Sequence, residues 1–405
     1  LLEQVFKNLD VTKILSNIFD SQTDTLFSLI HYKLCYNGAM VYAKKWFDGN
    51  FAKIIYKKAD VTSQRISDFL TFLGEEKLQR KFFQQYLNTF SHSSKGIIID
   101  GTSLPNQIHN PLTAWGLSGE EIDKQIRFLL VVDKESTAPL FFRTLPGNII
   151  DVSTLKNTIQ ELAQFGFKDC FIYSDAGFFS EDNIKELYEK KIQFLTRLPA
   201  TRTIYKELIR EEASQIEKFQ NGTKYGKRGL FVKQKEIELF GKKVYAHIVL
   251  DPKRKGREIE RFILENVDEK ETNKEIEYEF LNQGIMILIS SFKIPKHEVV
   301  PAYYIRQTAE MLFGFSKDDL GILPLRVHNE ERIRGFLFLQ FLTLIYFIQI
   351  KNKLDKKFTV EEILLSMRNL KCKVYDNEIL TNELTKEQKE ITQKLSILVP
   401  KTLGI

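Results

Sequence analysis

Residues 97–103 read Ile-Ile-Ile-Asp-Gly-Thr-Ser. Three β-branched residues in a row predict a buried strand, and the Asp-Gly that follows predicts its end. This strand marks a change of period along the chain. Upstream, apolar residues recur at helical spacing, first Ile14 and Ile18, then Leu26, Leu29, Ile30 and Leu34. Thr62-Ser63 can cap a helix that carries Ile66, Phe69, Leu70 and Leu73 and that Gly74 ends; the next helix carries Phe82, Phe83, Tyr86 and Leu87. The polar stretch Ser91 to Gly96 reads as a linker into the strand.

Downstream, Arg127 to Val132 and Leu140 to Leu145 are the second and third strand candidates, closed by the turn Pro146-Gly147-Asn148. Asp151 or Ser153 starts a helix with Leu155, Ile159, Leu162 and Ala163 on one face, stopped by Gly166. Cys170 to Ser174 is a fourth strand, ending at Asp175-Ala176-Gly177. Ser180 caps a helix with Glu181 and Asp182 in its first turn and Lys190 and Lys191 in its last, charges that suit the helix dipole at both ends. Ile192 to Thr196 is a fifth strand. The order β-β-β-α-β-α-β predicts an α/β fold, a mixed sheet with helices on both faces. Two acids, Asp100 and Asp175, fall at the C-terminal ends of strands one and four, where the active sites of open sheets collect.

From about 200 to 290 the pattern becomes β-rich. Leu230-Phe231-Val232 leads into Ile237 to Phe240, and a Gly241-Lys242 turn joins that run to Lys243 to Val249, a hairpin within an all-β insertion. Helices resume near Pro301 and pass residue 350, and the tail (Thr359 to Leu364, then Leu384 to Leu398) reads as helical turns.

Composition narrows the function. With 405 residues, 43% of them hydrophobic, the chain can bury two or three domain cores, and global disorder is excluded. Its three cysteines, Cys35, Cys170 and Cys372, are far apart and include no CxxC, which argues against a disulfide framework or a cysteine zinc site. Cys170, inside an apolar run, reads as a buried structural thiol, and the six histidines are scattered without an HxxxH pair. No signal peptide opens the chain, and the longest apolar run, Phe336 to Ile350, is shorter than the ~20 residues a bilayer needs. Those two features predict a cytoplasmic protein with a buried core helix. The chain begins without Met, consistent with a missing N-terminal piece. The net charge of +6 is mild, but residues 224–261 hold 12 Lys+Arg against 5 Asp+Glu, so the remainder is close to neutral. That segment includes Lys253, Arg254, Lys255 and Arg257 and reads either as a solvated charged hairpin or as a phosphate-contacting surface.

Either strand-end acid alone also suits a cap or a turn. A third element joins them. In a helix over Pro301 to Leu320, Tyr303, Arg306, Glu310 and Lys317 fall within one sector of about 60° at 100° per residue. Such a sector is either a solvated face or a place where an acid supplies a third metal ligand between two cations. Hard divalent cations take oxygen ligands, and two-metal phosphoryl chemistry needs converging carboxylates.

At these residues the sequence resembles the DDE transposases of bacterial insertion sequences, in the branch marked by a Tyr-x2-Arg-x3-Glu-x6-Lys signature. Tyr303, Arg306, Glu310 and Lys317 match that spacing at every position. Asp100-Gly101-Thr102-Ser103, Pro146-Gly147-Asn148, Ser174-Asp175-Ala176-Gly177, Phe194 to Pro199 and Glu330 to Gly335 also look like this family, and the resemblance runs from about residue 20 into the tail. Gln307 and Ala309 depart from it, where members often carry an aromatic and an aliphatic residue.

The resemblance implies an RNase H-like fold with a β-rich insertion before the third acid. The expected organisation is a helical N-terminal DNA-binding region (1–93), the first part of the catalytic core (94–200), the insertion (201–290), the second part with the signature helix (291–352) and a helical tail (353–405). It further implies that Asp100, Asp175 and Glu310 form a catalytic triad holding two Mg²⁺ ions ~4 Å apart, with Mn²⁺ as a substitute. Tyr303, Arg306 and Lys317 would contact transposon-end DNA, and a homodimer would act across paired ends in the bacterial nucleoid. Two other readings stay open: an RNase H-like nuclease that does not join strands, and a non-catalytic DNA-binding protein derived from a transposase.

Overall fold

In the computed structural model of the chain, the strand predicted at residues 97–99 lies inside a ten-stranded mixed sheet. The structure describes all residues except 1, 8, 91–92, 119–120, 150, 168–170, 267–273, 355–356 and 405. Cys170, His92 and the start of the expected linker lie outside the described residues.

Strand β1 (Gly96–Pro105) pairs antiparallel with β3 (Glu121–Asp133), whose other edge carries β2 (Ala114–Ser118) and β4 (Pro139–Pro146). On its far side β1 runs parallel to β5 (Phe171–Ser174), and β5 runs parallel to β6 (Phe194–Arg197). The order β4-β3-β1-β5-β6, with three antiparallel strands followed by two parallel ones, is the RNase H-like arrangement. The helices Leu155–Gln164 and Glu181–Glu189 supply the crossovers that parallel strands require. Ser180 caps the second of them, accepting a hydrogen bond from the Asn183 amide at 3.1 Å.

Beyond β6 the sheet continues through β10 (Ile285–Ser290), β9 (Lys242–Leu250), β8 (Arg228–Leu239) and β7 (Gly222–Tyr225), all antiparallel. The β8–β9 turn falls at Phe240-Gly241, both with positive φ, as a two-residue hairpin of matching twist requires. The inserted strands thus extend the central sheet, because β10 is buried along its whole length and must be covered on both edges. The insert also contains the helices Thr203–Glu212, Pro252–Asn266 and Lys274–Asn282. The tail adds a three-stranded sheet (Cys372–Val374, Glu378–Thr381, Thr402–Gly404) to its two capped helices.

The helix Glu330–Lys351 runs through the middle of the fold. It is long and apolar enough to cross a membrane, yet 89% of its most apolar window is buried inside the protein. Sixteen of its 22 residues are buried, so it is apolar all round, as a helix covered on every side must be. The β4 face covers it through Phe142 against Phe338 and Phe341. N-terminal helices cover it through Phe6 against Tyr346, with ring centroids 4.3 Å apart, and through a 2.8 Å hydrogen bond between Thr12 and Tyr346. Its closest neighbour is the helix Ser63–Leu73, and two glycines set that approach. A Cβ on Gly335 would stand 1.8 Å from the Leu70 carbonyl oxygen, and one on Gly74 1.9 Å from that of Glu331.

Candidate active site

Strand pairing places the first two acids side by side. Ile98 aligns with Tyr173 in the parallel β1–β5 ladder, so Asp100 lies level with Asp175, which follows the last residue of β5. The strand expected to end at Asp100-Gly101 instead runs on to Pro105, because β3 continues to pair with it, so Asp100 is a mid-strand residue beside the point where β5 stops. The Gly101 amide donates to Asp100 Oδ1 at 2.9 Å and fixes that carboxylate. Thr196 on β6 holds the next strand by donating to the Asp175 carbonyl at 3.3 Å.

The third acid comes from the helical stretch packed across this sheet end. The sequence predicts one helix here, but the structure has Lys296–Tyr304, a break at Ile305–Arg306, then Gln307–Gly314 and a wide π turn over Phe315–Asp319. At the break the backbone tightens, with Arg306, Thr308 and Ala309 each donating to the carbonyl three residues back. Ala309 is fully buried and Phe313 meets Phe128 of β3 edge-on, which anchors the second segment over the sheet.

Tyr303, Arg306, Glu310 and Lys317 still converge. Arg306 stands among the acids: its Nη1 lies 3.1 Å from Asp100 Oδ2 and 3.6 Å from Asp175 Oδ2, and its Nη2 lies 2.9 Å from Glu310 Oε1. Tyr303 is buried and donates its hydroxyl to Asp175 Oδ1 at 2.8 Å. Lys317 donates to Thr102 Oγ1 at 2.8 Å. Apart from the buried Tyr303, these residues line an open cleft of about 450 Å³ together with Gly101, Gly177, Phe313 and Gly314. Thr102, Gly177 and Phe313 are additions that the sequence reading missed. Thr102 had a usable signal, since it follows Asp100 by two and must share its face of the strand.

Burial pushes Asp100 up to about 7; the Arg306 charge and the Gly101 amide oppose that rise, and Asp175 and Glu310 add to it. Burial also pushes the Tyr303 hydroxyl above its ordinary range, reinforced by the Asp175 charge. Burial lowers Lys317. It opposes the charge on Arg306, but the surrounding acids outweigh it and hold the guanidinium charged. The Asp100 value lies above the ~3.9 of an unfolded chain, so its ionisation removes stability as pH rises between the two. Asp100→Asn is therefore expected to raise the thermal midpoint of the chelated protein at pH 8 and to leave it nearly unchanged at pH 4. Thermal denaturation at the two pH values checks this, and a lower midpoint at pH 8 would mean that the Arg306 pair outweighs burial.

Three carboxylates offer hard oxygen donors of the kind divalent cations take. Among the described residues, however, no three acidic, histidine or cysteine side chains stand close enough together to hold a metal as they are. A guanidinium occupies the space between the acids, itself a stand-in cation. Oxygen donors of the right type are therefore present, with Arg306 standing between them.

The basic residues of the insert lie elsewhere. Lys253, Arg254, Lys255 and Arg257 sit at the start of the helix Pro252–Asn266, beyond the end of β9, and not on the hairpin. Arg254 is paired with Glu258 at 2.5 Å and Lys255 with Glu217 at 2.6 Å, whereas Lys253 and Arg257 form no ion pair among the described residues. Nearby, Lys233 and Lys235 pair with Glu211 and Glu212. Acids from outside the segment thus offset part of its local excess charge. Of the scattered histidines, His31 and His247 are core residues, the latter 2.7 Å from Ser290 and lowered to about 4 by burial.

No curated protein matches the chain. A solved structure of the piggyBac transposase synaptic complex with hairpin DNA is similar, at 10% identity and a TM-score of 0.47, over 97% of this chain and 78% of that one. The profile of the family described as the transposase DDE domain matches residues 91–346, a span that takes in Asp100, Asp175, Glu310 and the whole signature stretch. By that match over more than half its length, the chain belongs to the transposase DDE domain family.

Proposed function

We propose that the chain is a cut-and-paste transposase of the Tyr-x2-Arg-x3-Glu-x6-Lys branch, which cleaves DNA at transposon ends and joins the freed 3′-hydroxyl to target DNA. The observation that carries this reading is the convergence of Asp100, Asp175 and Glu310, from three separate elements, on a single positive charge. Such a cluster of acids is destabilising unless cations neutralise it.

In this reading Asp100, Asp175 and Glu310 hold divalent metal ions, Mg²⁺ or Mn²⁺. When bound, such ions activate the attacking hydroxyl and stabilise the leaving oxygen. The Gly101 amide orients Asp100 and the Tyr303 hydroxyl orients Asp175. Arg306 and Lys317 hold backbone phosphates at the cleft. A water oxygen attacks phosphorus in line, and the bond to the 3′ oxygen breaks to leave a 3′-hydroxyl. That hydroxyl then attacks a target phosphate in the same way, releasing a target 3′ oxygen. No covalent bond to the protein forms. Two copies of the chain act across paired ends.

The test is a terminal-repeat duplex cut from the DNA flanking the gene. Metal-dependent nicking at the repeat end, followed by joining to a target plasmid, supports the reading. Nicking without joining would identify a nuclease, and binding without nicking a DNA-binding derivative. The helix Pro252–Asn266 forms an outlying phosphate contact in this proposal. At about 0.9 in the log–log salt slope per phosphate contact, replacing Lys253, Arg254, Lys255 and Arg257 by Gln should flatten the slope by roughly 1.8, two contacts' worth, because Arg254 and Lys255 already have acidic partners. An unchanged slope would remove this helix from the DNA surface.

A further inference from the structure

Arg306 is placed where a phosphate-binding residue need not be. Its side chain is only 16% exposed and spans all three acids, while Glu310, the most accessible of them, is half exposed. The Arg306 guanidinium carbon lies over the Tyr303 ring, 5.7 Å from its centroid. Three carboxylates drawn together without a counter-charge would repel one another. We propose that Arg306 is an internal counter-ion that competes with divalent cations for Asp100, Asp175 and Glu310, so that metal loading requires the guanidinium to leave the acid cluster. The inference rests on the assignment of the three acids as metal ligands.

The geometry explains why the competition is direct. Both Nη atoms of Arg306 are engaged, Nη1 by Asp100 and Asp175 and Nη2 by Glu310, so the guanidinium fills the position between the three carboxylates. A cation seated there must displace those contacts, and its apparent affinity is reduced by the fraction of molecules in which Arg306 occupies the site. The break at Ile305–Arg306 places the residue at a helix junction, where a modest backbone change can swing the side chain outward. Outside the cluster, a bidentate phosphate is the best available partner for a guanidinium.

The experiment measures Mn²⁺ binding to the DNA-free full chain, by the loss of the free-ion electron paramagnetic resonance signal. Four proteins are compared: the natural chain, Arg306→Gln, Arg306→Lys and the triple variant Asp100→Asn, Asp175→Asn, Glu310→Gln. Thermal denaturation in chelator verifies that each is folded. Arg306→Gln should bind Mn²⁺ about tenfold more tightly than the natural chain, within the usual range of coupling between competing sites. Arg306→Lys, which keeps a positive charge among the acids, should stay within about threefold of the natural chain. Arg306→Gln should also show the lowest midpoint in chelator and the largest rise on adding Mn²⁺. Unchanged or weaker binding by Arg306→Gln, with binding abolished in the triple variant, would overturn the counter-ion role while leaving the metal site standing. Binding that persists in the triple variant would overturn the metal assignment and this inference with it.

Discussion

Asp175→Asn will lower the rate of DNA strand cleavage by at least about 10³-fold while leaving binding of the same duplex within a fewfold of the natural chain. The same loss is expected for Asp100→Asn and Glu310→Gln. Metal-ion stabilisation of a phosphoryl transition state is worth several kcal/mol, and each 1.36 kcal/mol is a factor of ten in rate, so about 4 kcal/mol suffices for that loss. Binding should be spared because Arg306 and Lys317, the groups proposed above to hold phosphates, remain, and fewer acids in the cleft reduce repulsion of the DNA backbone. Single-turnover cleavage of an end-labelled duplex, alongside a filter-binding titration, measures the two quantities separately. A variant that keeps its cleavage rate is not part of the triad.

The largest loss of stability is expected from Gly335. A Cβ there would stand 1.8 Å from the Leu70 carbonyl oxygen, and the atom in the way belongs to the backbone of a packed helix, so it cannot rotate aside. The helices Ser63–Leu73 and Glu330–Lys351 must separate, and both are buried along the contact. Overpacking a core costs about 1–3 kcal/mol, and displacement of a helix buried on all sides belongs at or above the upper end of that range. Gly335→Ala should therefore destabilise by about 3 kcal/mol, and Gly335→Leu should prevent accumulation of soluble protein. Chemical denaturation of the alanine variant measures the first; a midpoint equal to that of the natural chain would show that the two helices can part without loss.

Much of this architecture was legible in the chain. Ile97-Ile98-Ile99 announced the central strand, and the end of the fourth strand candidate before Asp175 was readable too, but β1 runs past Asp100 to Pro105 and its pairing with β5 was not written in either stretch. The cap at Ser180 and the hairpin around Gly241 were equally readable, because each is local chemistry written in adjacent residues, whereas Thr62 precedes its helix without capping it and donates its hydroxyl to Asp60. What failed was not local. Trp115 and Leu117 of β2 are largely exposed, so the strand carries no core-facing alternation and exists because β3 is long enough to pair with it. The helix Pro252–Asn266 buries none of its residues, and its charges were assigned to the hairpin beside it. Arg306 was picked out by its spacing, but its pairing with the two aspartates was not. A spacing of four from Glu310 put both on one helical face, but no spacing can say whether that face meets solvent, DNA or two aspartates from another part of the chain.

The helix Glu330–Lys351 is touched on one side by Phe6, Thr12 and Leu70 and on another by Phe142 of β4, two strands from Asp100. It is a shared spine, and neither group of elements can shed it without baring a column of aromatic rings to water. The leading helices are consequently no swinging arm on a tether. The column of rings that the spine buries ties them at one distance and angle to the sheet that carries Asp100 and Asp175.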